Sequence, residues 1–222
     1  MSQNILIIAP HPDDETLGVG GTAAKFVSQG YKVFVLIISG HLPPLYSKEA
    51  YLKTVEEAKA AFKILGIEDF RFFEIPATLI SDTPVHILNK KICDVVEEVN
   101  PKIVFTCFPD RHIDHKLVFD SVMVATRPVG FGKNIQIVAA YETLSETHWN
   151  APHVEANFTP NWVIDITDFM DTKLKALTCY ESQIPPFPGS RSIKAIEALA
   201  IFRGTQSGFG FGEAFEIIRM KS

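Results

Sequence analysis

The 222-residue sequence predicts an α/β fold of Rossmann-like type, in which helices flank a mostly parallel sheet within a single domain of residues 1–222. Two observations predict this fold. Short apolar runs alternate with longer segments of helical apolar spacing four times in succession, which is typical of a parallel sheet. The chain is also long enough for one sizeable core, and no segment has the composition of an interdomain linker.

The first two strand–helix pairs have clear boundaries. Residues 4–9 are a β-branched run typical of a strand buried on both faces, and residues 16–29 have the apolar spacing of a helix. Residues 31–38 are a second such run. Residues 47–65 then form a long amphipathic helix that ends at Gly66, since glycine favours the backbone conformation that terminates helices.

The alternation continues along the chain. Residues 70–74 are a third strand, and the helix at 85–99 stops before the Asn-Pro pair at 100–101 because a residue before proline disfavours helical backbone. Residues 103–106 form a fourth strand, followed by a helix from about 115 to 125. The remaining predicted elements are strands 136–141 and 162–166, helices 168–180 and 192–202, and a late strand or extended segment at 213–219.

Composition argues against several functional classes. The formal net charge of -5 gives no broad basic surface, so nucleic acid is not an expected partner. Cys93, Cys107 and Cys179 are odd in number and include no CxxC pair, so we expect reduced core residues. The N-terminus lacks the basic region of a signal peptide, and no apolar run approaches the ~18 residues of a membrane span. We therefore expect a cytoplasmic protein with a small-molecule substrate.

Two unusual polar clusters follow the first and fourth strands. The first is HPDDE at residues 11–15, and the second is PDRHIDH at residues 109–115. In an open parallel sheet, ligands bind at the carboxyl ends of the strands, where both clusters are predicted to lie. Three adjacent acids raise the cost of ionising one another, so a positive charge is expected beside them. An ordinary helix-capping turn is the alternative explanation for the first cluster.

A divalent metal ion would supply that charge. Histidine and aspartate suit zinc, and a catalytic zinc usually has three protein ligands and an activated water. His11, one aspartate of the first cluster and one histidine of the second could be these ligands.

The two motifs together resemble the PIG-L/LmbE family of zinc-dependent de-N-acetylases. "HPDDE" after the first strand and "HIDH" after the fourth carry the resemblance. Residues 56–66, 165–183 and 203–215 are also similar to the family pattern, so the resemblance covers most of the chain.

The family resemblance implies a role for each site residue. His11, Asp14 and His115 would be the zinc ligands, although iron or cobalt could replace zinc at such N/O ligands. Asp13 would be the general base that takes a proton from the water. His112 would stabilise the oxyanion or protonate the departing amine, and Asp114 would orient His112.

The implied reaction is removal of an N-acetyl group from an amino sugar or N-acetylglucosaminyl conjugate. A metal-dependent hydrolase of another acyl or phosphoryl bond is an alternative, as is a non-catalytic module that binds metal or sugar. The expected partner is a small N-acetylated sugar, and homo-oligomerisation is common among relatives. Many relatives carry an arginine where this chain has residues 53–55 and an aspartate where it has Ala77, so their substrates cannot be transferred to it.

Other segments give weaker signals. Residues 18–23 fit a loose dinucleotide-binding pattern, but three acids precede them and would repel a pyrophosphate, so these glycines more plausibly allow close packing of a helix. His41 follows the second strand and is a possible substrate contact. The Pro-rich residues 183–190 are a surface connection, a lid or a subunit contact. Residues 206–212 could lie over a sugar ring or be a packed loop.

Overall fold

A computed structural model describes residues 3–221, in which seven strands form one mixed sheet. The strands are β1 (Asn4–Ala9), β2 (Lys32–Gly40), β3 (Asp69–Pro76), β4 (Ile103–Cys107), β5 (Ile137–Tyr141), β6 (Trp162–Asp165) and β7 (Gly212–Met220). The helices are α1 (Asp14–Ser28), α2 (Lys48–Leu65), α3 (Val85–Val99), α4 (Ile113–Ala125), α5 (Met170–Leu177) and α6 (Ile193–Thr205). The predicted α/β fold with a mostly parallel sheet is therefore confirmed.

The sheet has the strand order β3-β2-β1-β4-β5-β7-β6. Strands β1 to β5 pair in parallel, while β7 pairs antiparallel with both β5 and β6. The chain moves outward from β1 to β3 and then returns to the other side of β1 with β4. Because strand order reverses between β1 and β4, the loops that follow these two strands lie side by side at the carboxyl edge.

The element boundaries differ little from those predicted. The Ser47 hydroxyl caps α2 by accepting the Ala50 amide at 3.2 Å, and Gly66 ends that helix in the left-handed region with φ 76°. The predicted helix at 168–180 is shorter, because a 3-10 turn at Thr167–Phe169 precedes α5 and the chain leaves the helix after Leu177. The late segment at 213–219 is the full strand β7.

Residues Ile5 to Ala9 of β1 and all five residues of β4 are buried, as expected for central strands covered on both faces. In the described part of the chain, residues 3–221, no helix combines the length and the apolar character needed to cross a bilayer.

Helix α1 lies unusually close to its neighbours. A Cβ atom built on Gly18 would collide with the Tyr141 ring, and one on Gly21 would lie 2.7 Å from Ile166 Cδ1. The Tyr141 hydroxyl donates to the Ile8 carbonyl at 3.0 Å, so its ring cannot move aside without losing that bond. The prediction that these glycines allow close packing is confirmed.

This packing predicts that alanine at Gly18 and alanine at Gly20 will change the free energy of unfolding by different amounts. Gly18→Ala should lower the free energy of unfolding by about 1–3 kcal/mol through overpacking against Tyr141. Gly20→Ala should be close to neutral, because its Cβ would meet nothing nearer than Thr16 Cγ2 at 3.3 Å and alanine favours helix. Urea unfolding of both variants measures the difference, and equal costs would contradict the packing argument.

Candidate active site

The two polar motifs meet at the carboxyl edge of the sheet. The loop with His11 and Asp13 leads from β1 into α1, and the loop with Asp110 and His112 leads from β4 into α4. Strands β1 and β4 are paired neighbours, with Ile8 opposite Thr106 near their ends. The sheet register therefore brings together side chains that are about a hundred residues apart in sequence.

His11, Asp14 and His115 form a compact group that could hold a metal ion. One ligand atom of each lies within 4.8 Å of the other two. His11 Nδ1 lies 3.2 Å from Asp14 Oδ2, and His115 Nε2 lies 3.3 Å from the same oxygen. The structure thus brings together the three residues that the family resemblance implies as ligands.

In both His11 and His115, the outer ring nitrogen, which is the one that does not face Asp14, lies beside a second carboxylate. His11 Nε2 lies 2.9 Å from Asp114 Oδ2, and His115 Nδ1 lies 3.0 Å from Asp110. A carboxylate at the outer nitrogen places the ring proton there and leaves the inner nitrogen, which faces Asp14, free to donate its lone pair to a metal. Thr147 Oγ1 donates to Asp110 at 2.9 Å and fixes that carboxylate in turn.

The group also contains buried polar atoms without hydrogen-bond partners. Asp14 Oδ1 and His115 Nε2 have none among the described residues, although both side chains are buried. Such atoms cost free energy unless something satisfies them. A divalent cation would satisfy both, so these donors fit a metal ion of the kind that binds histidine and carboxylate.

The pKa values of the site residues also favour a bound cation. Burial opposes the charge on the two rings, but Asp114 and Asp14 raise the pKa of His11 to about 9, and Asp14 and Asp110 raise that of His115 to about 10. Burial also opposes the charge on Asp14, yet the His115 and His11 charges hold its pKa well below the usual range. The carboxylates thus attract positive charge, and a metal ion would displace ring protons to take that place.

His112 lies beside this group but differs from the other two histidines. His11, His112 and Asp114 also have ligand atoms within 4.8 Å of one another. However, His112 Nδ1 accepts the Asp114 backbone amide at 3.1 Å, which requires a neutral ring with its proton on Nε2. Burial lowers the pKa of His112, which also favours the neutral ring. Nδ1 is therefore engaged as an acceptor and Nε2 carries the proton, so neither nitrogen has a free lone pair for a metal. His112 is instead suited to donate a hydrogen bond through Nε2.

Asp114 contacts two histidines. Its backbone amide donates to His112 Nδ1 at 3.1 Å, because His112 is the N-cap of α4 and its ring turns back onto the amide two residues ahead. Its carboxylate lies 2.9 Å from His11 Nε2 and accepts the Thr78 amide at 2.7 Å. The role predicted for Asp114, which is to orient His112, stays a prediction.

Asp13 has a rare backbone conformation, with φ 118°. Its amide donates to Glu15 Oε2 at 3.1 Å, and Glu15 Oε1 accepts the Tyr180 hydroxyl at 2.5 Å. Burial raises the pKa of Asp13 to about 7, against the opposing charge of Arg191. A network of buried side chains therefore maintains this strained residue.

Arg191 contacts Asp13, which the sequence did not reveal. Its Nη1 donates to Asp13 Oδ2 at 2.8 Å, while its Nε donates to the Leu144 carbonyl at 3.0 Å and to Ser145 Oγ at 3.3 Å. Arg191 directly follows the Pro-rich residues 183–190. A buried aspartate requires a partner of opposite charge, but no sequence pattern indicates which arginine is that partner.

A cavity of about 150 Å³ opens above these groups. It is lined by His11, Asp13 and His112 together with His41, Tyr46, Ala77, Thr78, Glu146, Gln183 and Arg191. His41 thus lies on the wall of the cavity, as a substrate contact would. Residues 206–212 do not line it, and Phe211 packs against the core instead.

Comparisons with known proteins identify related chains. A family model described as PIG-L: GlcNAc-PI de-N-acetylase matches residues 6–126. The chain is 28% identical to the diacetylchitobiose deacetylase of Thermococcus kodakarensis, covering 97% of this chain and 83% of the relative. It is 30% identical to a probable N-acetyl-alpha-D-glucosaminyl L-malate deacetylase 2 of Bacillus anthracis, covering 82% and 81%.

Solved structures share the fold. The N,N'-diacetylchitobiose deacetylase of Pyrococcus horikoshii superimposes with a TM-score of 0.77 at 22% identity, covering 98% of this chain and 84% of that one. GalB, the 4-carboxy-2-hydroxymuconate hydratase of Pseudomonas putida, has a TM-score of 0.79 at 20% identity, covering 99% and 98%. Since a hydratase has the same fold, the reaction must be argued from the site.

The Asp13–Arg191 contact predicts a measurable coupling. At pH 8, above the Asp13 pKa of about 7, the two side chains should be coupled by about 1–3 kcal/mol in a double-mutant cycle of Asp13→Asn and Arg191→Gln. The exposed pair Arg71–Glu98 is the matched control and should show a smaller coupling, because solvent screens it. Urea unfolding provides the four free energies, and equal couplings for the two pairs would contradict the assignment.

Proposed function

The chain belongs to the PIG-L family, and from that premise we propose that it is a zinc-dependent hydrolase that removes the acetyl group from an N-acetylated amino sugar or N-acetylglucosaminyl conjugate. The observation that carries the proposal is that two histidines, His11 and His115, flank Asp14. Each ring also meets a further carboxylate, which is Asp114 for His11 and Asp110 for His115. Beside them lies a separate aspartate, Asp13, that is not needed to bind the metal.

In this proposal His11, Asp14 and His115 hold the metal ion, while Asp114 and Asp110 orient the two rings. When bound, zinc would polarise the acetyl carbonyl and lower the pKa of a water molecule. Iron or cobalt could occupy the same ligands, because N/O donors discriminate weakly among these ions.

Asp13 is the proposed general base. Arg191 holds its Oδ2, so Oδ1 remains to take a proton from the attacking water. Burial raises the pKa of Asp13 to about 7 in the metal-free site. A cation held by the neighbouring ligands would lower that pKa and so favour the ionised carboxylate that a base requires. The same carboxyl group can then return the proton to the amine as the C–N bond breaks, which gives acetate and a free amino sugar.

His112 is the proposed donor to the oxyanion. Its Nδ1 accepts the Asp114 amide, so Nε2 carries the proton that can stabilise negative charge on the acetyl oxygen. Protonation of the leaving amine by His112 would require a second ring proton, and the bound amide opposes one. The oxyanion role is therefore favoured over the alternative that the sequence left open.

We propose that residues 1–222 act as one catalytic domain, because β6 and β7 complete the sheet and Arg191 reaches the first motif. A cytoplasmic location is proposed from the cysteines, since Cys93, Cys107 and Cys179 are all unpaired, as is usual in a reducing compartment.

The activity is tested by acetate release from a panel of N-acetylated sugars and conjugates, using metal-stripped protein with and without added zinc. We expect release that depends on zinc and yields one free amine per acetate. Inorganic phosphate or a free alcohol instead would support hydrolysis of another bond. Zinc binding and sugar binding without any product would support a non-catalytic binding module.

Two substitutions separate the proposed base from the proposed ligands. Asp13→Asn should retain zinc but lose turnover by about 10²–10⁴-fold, because the proton acceptor is removed while the three metal ligands remain. His115→Ala should lose zinc affinity, as measured by equilibrium dialysis and metal analysis, whereas His153→Ala, at an exposed histidine, should change neither property. Full activity in Asp13→Asn would show that Asp13 is not the base.

Metal binding should also stabilise the fold, because a ligand that binds only the native state lowers its free energy. At zinc concentrations of about 100 times the dissociation constant, the expected gain is about 2.7 kcal/mol. Thermal unfolding with and without zinc should show this gain in the unsubstituted protein and in Asp13→Asn but not in His115→Ala. A similar gain in His115→Ala would place the metal elsewhere.

A further inference from the structure

The walls of the cavity indicate what kind of sugar it accepts. We propose that the cavity selects an uncharged N-acetylated saccharide, whose ring lies on Tyr46, over an anionic N-acetylglucosaminyl conjugate. This inference rests on the proposed function and specifies its substrate class.

The arginine side chains at and near the cavity are already paired with carboxylates of the protein. Among the described residues that line it, Arg191 is the only lysine or arginine, and its guanidinium holds Asp13 at 2.8 Å and lies 3.9 Å from Glu146. Arg111, nearby, lies 3.1 Å from the other oxygen of Glu146. A substrate carboxylate or phosphate would therefore meet Asp13 and Glu146 while both arginines are engaged, and such like-charge contacts are costly.

Helix α2 does not supply a further cation. Lys53 extends into solvent, 3.8 Å from Glu57. The Thr54 hydroxyl donates to the Ala50 carbonyl of its own helix, and Val55 is buried. The loop after β3 contributes Ala77 and Thr78 to the cavity, and both are uncharged. Neither segment therefore adds a cation to the wall.

The wall also contains aromatic and neutral polar groups. The rings of His41 and Tyr46 lie 4.3 Å apart, tilted by 41°, and Tyr46 remains 43% exposed. The electron-rich face of an aromatic ring attracts the C–H face of a sugar without requiring charge. Gln183, which also lines the cavity, can bond to hydroxyl groups through its neutral amide. These are the contacts that an uncharged saccharide uses.

The test compares N,N'-diacetylchitobiose, which is uncharged, with N-acetyl-alpha-D-glucosaminyl L-malate, which carries two carboxylates. Calorimetry on the metal-stripped protein measures binding without turnover, and acetate release after zinc is restored measures kcat/KM. We expect at least about tenfold preference for the chitobiose in both measurements, a factor that corresponds to about 1.4 kcal/mol.

Substitutions in the wall make the test specific. Gln183→Arg adds a cation and should improve binding of the malate conjugate, whereas Gln183→Met, without the charge, should not. Tyr46→Ala should weaken chitobiose binding about tenfold, because the aromatic face that contacts the sugar is lost. Tyr46→Phe should restore binding, and Leu45→Ala, at an exposed neighbour that does not line the cavity, is the control.

The outcomes separate this inference from the proposed activity. Equal binding of the two compounds, or binding of neither, overturns the inference, and so does chitobiose binding that Tyr46→Ala does not weaken. Selective binding of chitobiose without acetate release supports the inference and rejects the deacetylase proposal. Acetate release at equal kcat/KM from both compounds supports the deacetylase proposal and rejects the inference.

Discussion

The structure depends on the burial of five carboxylates at one edge of its sheet. Charged groups taken out of water are costly, so each carboxylate must have a partner close by. Histidine rings, backbone amides, a tyrosine hydroxyl and one arginine are these partners, and they come from every part of the chain. The five residues are Asp13, Asp14, Glu15, Asp110 and Asp114.

These partners divide the site into two parts. On one side, Asp14 lies between His11 and His115, whose outer nitrogens face carboxylates of their own. On the other, Asp13 has an unusual backbone conformation, and its carboxylate accepts a hydrogen bond from Arg191. Two adjacent aspartates of identical chemistry thus acquire different surroundings. Burial raises the pKa of Asp13 to about 7, whereas the charges of His115 and His11 outweigh burial at Asp14 and hold its pKa well below the usual range.

Local patterns predicted most of the fold, because the spacing of apolar residues, a glycine at a helix end and an Asn-Pro pair each determine backbone conformation within a few residues. They also located both motifs, since the edge at which they meet follows from parallel topology. The long-range contacts were not predictable in the same way. Arg191 lies 178 residues from Asp13, and the Pro-rich residues 183–190 before it predicted a surface connection, a lid or a subunit contact rather than a partner for Asp13. The contact of Asp114 with His11 depends on how α4 is capped, which the family pattern does not specify.

The contact between Asp13 and Arg191 also limits how such chains can evolve. The family model matches residues 6–126, whereas the arginine that contacts Asp13 of the first motif lies well outside that range. Exchange of either segment alone would therefore separate the two charges. A recombinant that joins this N-terminal half to the C-terminal half of a relative would retain both motifs, but it would lose the counter-charge unless the donor supplied an equivalent cation.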